Sequence, residues 1–374
     1  MVRRRIKILF LIDALFVGGT EKQLVLLAEN LPRDRFEPVI GVLRKADYQN
    51  TLEIKTPIVC FNWPGPRLLK NFSLVWKLGQ YLHKENFDII QTQFVDATIY
   101  GAWAARICRP RPSLISTRRN LYHWVDEDPW AFRFLRHTVR WTDRVLVNSQ
   151  RVFEQCQTIE QIPQEKITLI QNGVEVDKFD GMCSEAAKRS IGLLGKYPVI
   201  GVVGNLRPVK GLVSFLEAAT RVSHKIPSAR FALVGSGPQE NDLESLAQAL
   251  GIHDKVTFLK DAHDIPSVMA AFDIVVQPSL SESFSNVLVE YMAAKKPIVA
   301  TKVGDAEMVI EDGEDGLLVL PDNPQELATA ILYLCRNREK ADIMGRLARQ
   351  KVSANWSLDK ILETYRLFYE ELVH

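Results

Sequence analysis

Apolar positions along this chain follow two alternating rhythms. Short, nearly continuous runs rich in β-branched residues, such as 7–12, precede longer stretches in which apolar residues recur every three or four positions, such as 21–31. The runs predict strands buried on both faces, and the longer stretches predict amphipathic helices. Their alternation predicts βα units around parallel sheets covered by helices. In the first half, strands are predicted at 7–12, 38–42, 57–61, 88–92, 113–117, 144–148 and 166–170. A second series follows at 199–204, 230–235, 255–259, 274–277, 297–301 and 316–320. Between them, Asn172-Gly173 marks a tight turn, and 174–196 has no strand pattern. A domain junction is therefore placed near residue 180, giving α/β domains at 1–180 and 181–356. A last helix, about 357–374, is expected to pack back on the first domain. Doubly wound units bind ligands beyond the carboxyl ends of their strands, here expected to meet at an inter-domain cleft.

A length of 374 residues fits two cores, and 47% hydrophobic with 25% charged residues is a globular composition. Net charge is only +2, but residues 1–180 carry 26 Lys and Arg against 20 Asp and Glu. Within that half, 103–151 holds ten arginines and four acids, interleaved with Trp103, Tyr122, Trp124, Trp130 and Trp141. Such a patch suits anionic lipid headgroups or a phosphorylated acceptor, or is a solvated arginine surface over buried tryptophans. Five scattered cysteines without a CxxC pair point to reduced thiols in a cytoplasmic protein. Arg3, Arg4 and Arg5 before an apolar run resemble a secretory signal. Asp13 interrupts that run, however, and a buried first strand ending in a Gly-rich turn explains it better. No apolar stretch reaches the ~20 residues that span a bilayer, so any membrane contact is expected to be peripheral, at the inner face.

Three loops carry candidate chemistry. After the predicted strand 274–277, the segment from Pro278 to Ala294 turns into a helix, with Ser285 and Asn286 near its start. Backbone N–H groups and the positive dipole end there suit a diphosphate. Glu282 falls in the loop and Glu290 about one turn into the helix, suiting a sugar and a ribose. Ordinary capping by Ser283 or Ser285 is the plain alternative. A second loop carries Arg207 and Lys210, cations that suit a leaving phosphate. The third, with Gly18, Gly19 and Glu21, joins the first strand to the first helix and lets backbone approach a phosphate or sugar. Three other patterns are read structurally. Gly235-Ser-Gly237 lacks a third glycine and is taken as a turn. Asp126-Glu127-Asp128 spells a metal-binding triplet, but Asp128-Pro129 reads as a helix cap followed by proline at the first helical position. The acidic run 311–316 is taken as a surface turn.

Together these residues resemble glycosyltransferase family 4, over nearly the whole chain. The most specific match is Glu282 and Glu290 in a Glu-x7-Glu element, between Pro278-Ser279 and the strand at Pro297–Thr301. Gly18–Glu21, Asn172-Gly173-Val174 and Lys210-Gly211 support it. The resemblance implies a GT-B architecture of two facing Rossmann-like domains. It further implies a retaining, metal-independent transfer of a hexose-type sugar from a UDP- or GDP-linked donor, with no resident cofactor. Glu282 would contact the sugar and Glu290 the ribose. Amides around Phe284, Ser285, Asn286 and Val287 would hold the diphosphate, Arg207 and Lys210 the leaving phosphate, and backbone at Leu259 and Lys260 the base. Gly19 would lie at the donor, with Gly18 and Glu21 on the acceptor side. The acceptor would be a saccharide or lipid-linked, as in cell-surface polysaccharide or glycolipid assembly, and no nucleic-acid partner is expected. Two departures stand out. The family's usual Gly-Arg pair falls on Gly204-Asn205, so Arg207 must take over the cation. A usual histidine of the acceptor loop is replaced by Ser116-Thr-Arg118-Arg119-Asn120, which suggests an anionic ligand or a structural ion pair. The alternatives are an epimerase of the same architecture and a non-catalytic nucleotide-sugar binder.

Overall fold

The computed structural model describes residues 4–16, 18–45, 54–63, 65, 72–122, 128–260, 262 and 264–373. The chain divides into two compact units, Met1–Asn172 with Ile361–His374, and Gly173–Lys360. Each unit is a single parallel sheet with helices packed on it.

The first unit contains β1 (Ile6–Ile12), α1 (Gly19–Asn30), β2 (Phe36–Val42), β3 (Ile58–Cys60), α2 (Phe72–Glu85), β4 (Ile89–Gln93) and α3 (Val95–Ile107). These are followed by β5 (Ser113–Arg118), α4 (Pro129–Thr138), β6 (Arg144–Val147), α5 (Gln150–Thr158) and β7 (Ile167–Leu169). Strand order is β3-β2-β1-β4-β5-β6-β7. The apolar run that resembled a secretory signal is thus an inner strand, paired in parallel with β2 and β4, with Ile8 through Ile12 fully buried. Burial on both faces is why β1 reads as an unbroken run.

The second unit runs α6 (Ser184–Ser190), β8 (Val199–Val203), α7 (Leu212–Lys225), β9 (Arg230–Val234), α8 (Glu240–Ala249), β10 (Val256–Leu259), α9 (Ile265–Ala270) and β11 (Ile274–Gln277). It continues with α10 (Asn286–Ala293), β12 (Ile298–Thr301), α11 (Ala306–Val309), β13 (Leu317–Val319), α12 (Pro324–Arg336) and α13 (Arg338–Asn355). Strand order is β10-β9-β8-β11-β12-β13, all parallel. Each predicted strand has a counterpart, with ends displaced by up to two residues, as fraying termini are.

Residues 173–180 group with the second unit, not with the first as the junction near 180 implied. Long-range bonds within that unit hold them. Val174 N donates to Trp356 O at 2.9 Å, Leu358 N to Val174 O at 2.9 Å, and Arg349 to Val176 O at 2.7 Å and Asp180 at 2.6 Å. The last helix, α14 (Leu358–Val373), places Ile361, Tyr365, Phe368 and Tyr369 on one face in the first unit's core. Tyr369 meets Phe36 edge-on at 5.9 Å, and its hydroxyl donates to Gln91 Oε1 at 2.7 Å. Asp128 caps α4, accepting from Ala131 N at 2.9 Å, with Pro129 in the first turn. Asp126 and Glu127 lie outside the described residues. In the 311–316 turn, Asp315 accepts from Glu311 N at 2.7 Å and pairs with Lys351 at 2.7 Å, so its carboxylate is committed to closing the turn. All five cysteines are free thiols. Among the described residues no helix is long and apolar enough to cross a membrane.

Candidate functional site

In the second unit the winding reverses between β8 and β11, which brings the loops after these two strands together. Their approach is close enough to require glycine. Gly211 has φ 62°, and a Cβ there would stand 2.0 Å from Pro278 O. Leu280 N donates to Val209 O at 2.8 Å across the same seam. This contact delivers Lys210 Nζ to Glu282 Oε1 at 2.6 Å, with the side chains 29% and 13% exposed. Ser279 Oγ donates to the same carboxylate oxygen at 2.8 Å, and Thr301 Oγ1 donates to Ser279 O at 2.6 Å. On the far side Gly304, at φ 59°, lets the β12 loop reach Ser283 O, which accepts from Asp305 N at 3.0 Å. Glu282 is thus pinned between two glycine contacts.

Past Glu282 the loop buries Phe284 against Trp356 at 6.3 Å and enters α10. Ser285 precedes the helix in extended backbone, and its hydroxyl makes no capping bond to the first turn. Glu290 is half-buried on the next turn. Tyr291 fixes the base of the site: its hydroxyl accepts from Val203 N at 2.7 Å and donates to Val276 O at 3.3 Å, linking β8 to β11. Arg207 is exposed at the start of the turn that ends in Lys210, whose N–H donates to Arg207 O at 2.9 Å. The turn at 235–237 does more than reverse the chain. A Cβ on Gly235 would stand 2.1 Å from Gly204 O, Leu206 N donates to Ser236 O, and Gln239 N donates to Leu206 O. The glycines let this loop brace the one carrying Arg207. Leu259 ends β10, with its carbonyl accepting from Gly235 N at 2.9 Å. The Lys260 ammonium is held by Glu240 and Glu244, which leaves its backbone atoms for the base contact that the family resemblance leads one to expect.

In the first unit, Gly18 is the N-cap of α1, Gly19 its first residue, and Glu21 lies in the first turn. The buried Glu21 carboxylate folds back over Gly18, in the position of a capping-box glutamate. A small hollow of about 50 Å³ at the same edge of the sheet is lined by Thr20, Gln93, Phe94, Thr117, Arg118 and Arg119, among others. Phe94 holds φ 66° and ψ 176°, a conformation nearly confined to glycine, so the hollow is floored by strained backbone. Both candidate arginines line the hollow and are engaged by neighbouring side chains. Arg118 spends its charge on buried Glu160, at 2.7 and 3.0 Å. Arg119 donates to Asn172 Oδ1 and to Tyr365 Oη at 3.1 Å.

Sequence reasoning gave Asp13 no role beyond interrupting the first strand. Its carboxyl accepts from Ala97 N at 2.6 Å and is pushed up to about 7, by burial first and then by the nearby Asp96 charge, against Arg44. A folded-state value above the unfolded ~3.9 means that the native state holds the proton more tightly. This group's contribution is therefore most favourable below about pH 4, is lost between about 4 and 7, and stays unfavourable above. Asp13→Asn keeps an acceptor for Ala97 and should stabilise the protein at pH 8 by about 2–4 kcal/mol, with little gain at pH 4. Urea unfolding at both pH values checks this; equal gains at both would refute it.

The description Glycosyltransferase Family 4 matches residues 17–178, and Glycosyl transferases group 1 matches 184–351. The Alpha-D-kanosaminyltransferase of Streptomyces kanamyceticus is 30% identical over 66% of this chain and 64% of its own. The D-inositol 3-phosphate glycosyltransferase of Mycolicibacterium smegmatis is 31% identical over 60% and 52%, and the N-acetyl-alpha-D-glucosaminyl L-malate synthase of Bacillus anthracis 24% over 81% and 80%. The alignment thus spans between half and two thirds of the first two relatives. Anabaena Alr3699/HepE in complex with UDP and glucose superposes with a TM-score of 0.87 at 26% identity, covering 98% of this chain and 100% of that one. The two family matches, in order along two Rossmann-like units, show that this chain belongs to glycosyltransferase family 4 and has the GT-B fold.

Proposed function

We propose that this chain transfers a hexose-type sugar from a nucleoside diphosphate sugar to a saccharide or lipid-linked acceptor, with retention, at the cytoplasmic face of the membrane. The product would be cell-surface polysaccharide or glycolipid. The observation that carries this reading is the Lys210–Glu282 pair beside the start of α10, held by glycine contacts on both sides. On donor binding, Lys210 exchanges Glu282 for the departing phosphate, and Arg207 adds a second cation. The first turn of α10 directs its amides and dipole at the diphosphate. Glu282 then accepts a hydroxyl hydrogen from the sugar, and Glu290 one from the ribose. The acceptor oxygen bonds the anomeric carbon on the face from which the phosphate oxygen leaves, and that oxygen takes the acceptor's proton. With two cations at the phosphate, the step needs neither a metal nor a resident cofactor. A UDP-linked donor is favoured because the Anabaena relative was solved with UDP and with UDP-glucose.

A thermal-shift panel of UDP- and GDP-sugars tests the donor, since a ligand at 100 times its Kd adds about 2.7 kcal/mol. One UDP-sugar should raise the melting temperature and then be consumed when acceptor is added. Interconversion of the sugar without acceptor would indicate an epimerase, and stabilisation without any turnover a binding protein. Either result refutes the proposal.

A further inference from the structure

The first unit carries a second concavity, on the sheet edge opposite the Gly18 loop, where its strands begin. Arg106 lies in the last turn of α3, Arg111 just before β5, Arg144 at the start of β6 and Lys166 just before β7. Together with Arg109 and Arg140 they line a basin of about 630 Å³ in which Asp143 is the only carboxylate among the described lining residues. Several of these cations are fixed by neutral carbonyls. Arg109 donates to Cys108 O at 2.8 Å, Lys166 to Thr142 O at 3.0 Å, and Arg140 to His137 O at 3.1 Å. Carbonyls orient a cation without cancelling its charge. Asp143 is committed to Arg111 at 2.9 Å, and Glu371 stands 3.6 Å from Arg144. The basin thus presents a surplus of organised positive charge that folding does not neutralise.

The aromatic residues beside it are not the buried floor that one reading of the arginine-rich stretch implied. Trp141 lines the basin half-buried, under Arg140 at 5.5 Å, and Trp103 packs edge-on to it at 4.7 Å while 39% exposed. Ile107, one turn further along α3, is 47% exposed. Arginine beside exposed tryptophan and isoleucine is the chemistry of a membrane interface: the indole sits at headgroup level while the cations meet lipid phosphates. A soluble polyanion would use the arginines and leave Trp103 and Ile107 without a role. We propose that this edge docks the protein on an anionic bilayer, with lipid phosphates in the basin and Trp103 and Ile107 at the interface. The proposal rests on the membrane-face placement given under the proposed function and names the surface that would make it; because that surface shares no residue with the donor loops, its failure leaves the transfer chemistry untouched.

The test is co-sedimentation of the full chain with phosphatidylcholine vesicles, either neutral or carrying about 30 mol % phosphatidylglycerol. Binding to anionic vesicles only is expected, weakened as NaCl rises from about 0.05 to 0.5 M. Arg106→Glu with Arg140→Glu should lower partitioning at least about thirtyfold, with an unchanged melting temperature and unchanged turnover on a soluble acceptor. Equal binding to neutral vesicles, or anionic binding that ignores the double variant, would overturn the assignment. So would capture of inorganic pyrophosphate or duplex DNA by the wild type without vesicle binding.

Discussion

Lys210→Ala should lower the transfer rate by about two to three orders of magnitude, the loss expected when one fixed charge at a developing oxyanion is removed. The fold should change little. Lys210 is 29% exposed, and Glu282 keeps the Ser279 hydroxyl after its partner is gone, so about 1 kcal/mol or less of stability is at stake. Glu282→Gln preserves shape and removes charge, and should cost a comparable factor because the sugar loses its carboxylate while Lys210 loses its resting partner. The two side chains touch each other and, in the proposed mechanism, act on one bound donor, so the double variant should fall well short of the product of the single effects. Initial rates on the donor found by thermal shift, measured beside melting curves, check all three. Full turnover in both single variants would remove these residues from the mechanism and leave the family assignment intact.

Much of this site was legible because it is local. Glu282, the turn into α10 and Glu290 lie within nine positions, and a loop-to-helix transition has a recognisable residue pattern. The sheets were legible for a related reason: strands buried on both faces leave runs such as 6–12 with almost no polar interruption. What escaped was carried by contacts distant in sequence. The Lys210–Glu282 pair joins residues 72 positions apart and follows from strand order, which periodicity does not encode. The Gly235–Gly237 turn could be recognised as a turn, but its partner is the 204–206 backbone. Residues 173–180 read as linker because the bonds that fix them come from Trp356 and Arg349. Asp13 was visible as a polar break, while the burial and the Asp96 charge that raise its pKa come from the fold. The basic stretch was legible as composition, but only the structure separates the arginines of the basin from Arg118, which is buried.

That separation leads to the largest stability effect expected in the molecule. Arg118 and Glu160 have side chains 7% and 0% exposed, and both oxygens of the carboxylate face the guanidinium. The Tyr122 hydroxyl donates to the same carboxylate and lies 3.4 Å from the Cys156 sulfur, whose thiol burial pushes up to about 12. Arg118→Met removes the only cation bonded to Glu160 among the described residues and strands a buried carboxylate. It should cost about 3–5 kcal/mol, a drop in melting temperature on the order of 10 °C. Arg118→Met with Glu160→Leu removes both charges and should recover most of that loss, since a buried pair contributes little beyond well-packed apolar side chains. The double variant also decides between the two roles the sequence left open for Arg118, because it is folded yet lacks the guanidinium beside the Thr20–Phe94 hollow. With the charge already spent on Glu160, its acceptor KM and kcat should stay within about threefold of wild type. A selective rise in acceptor KM at normal stability would instead make Arg118 a substrate ligand.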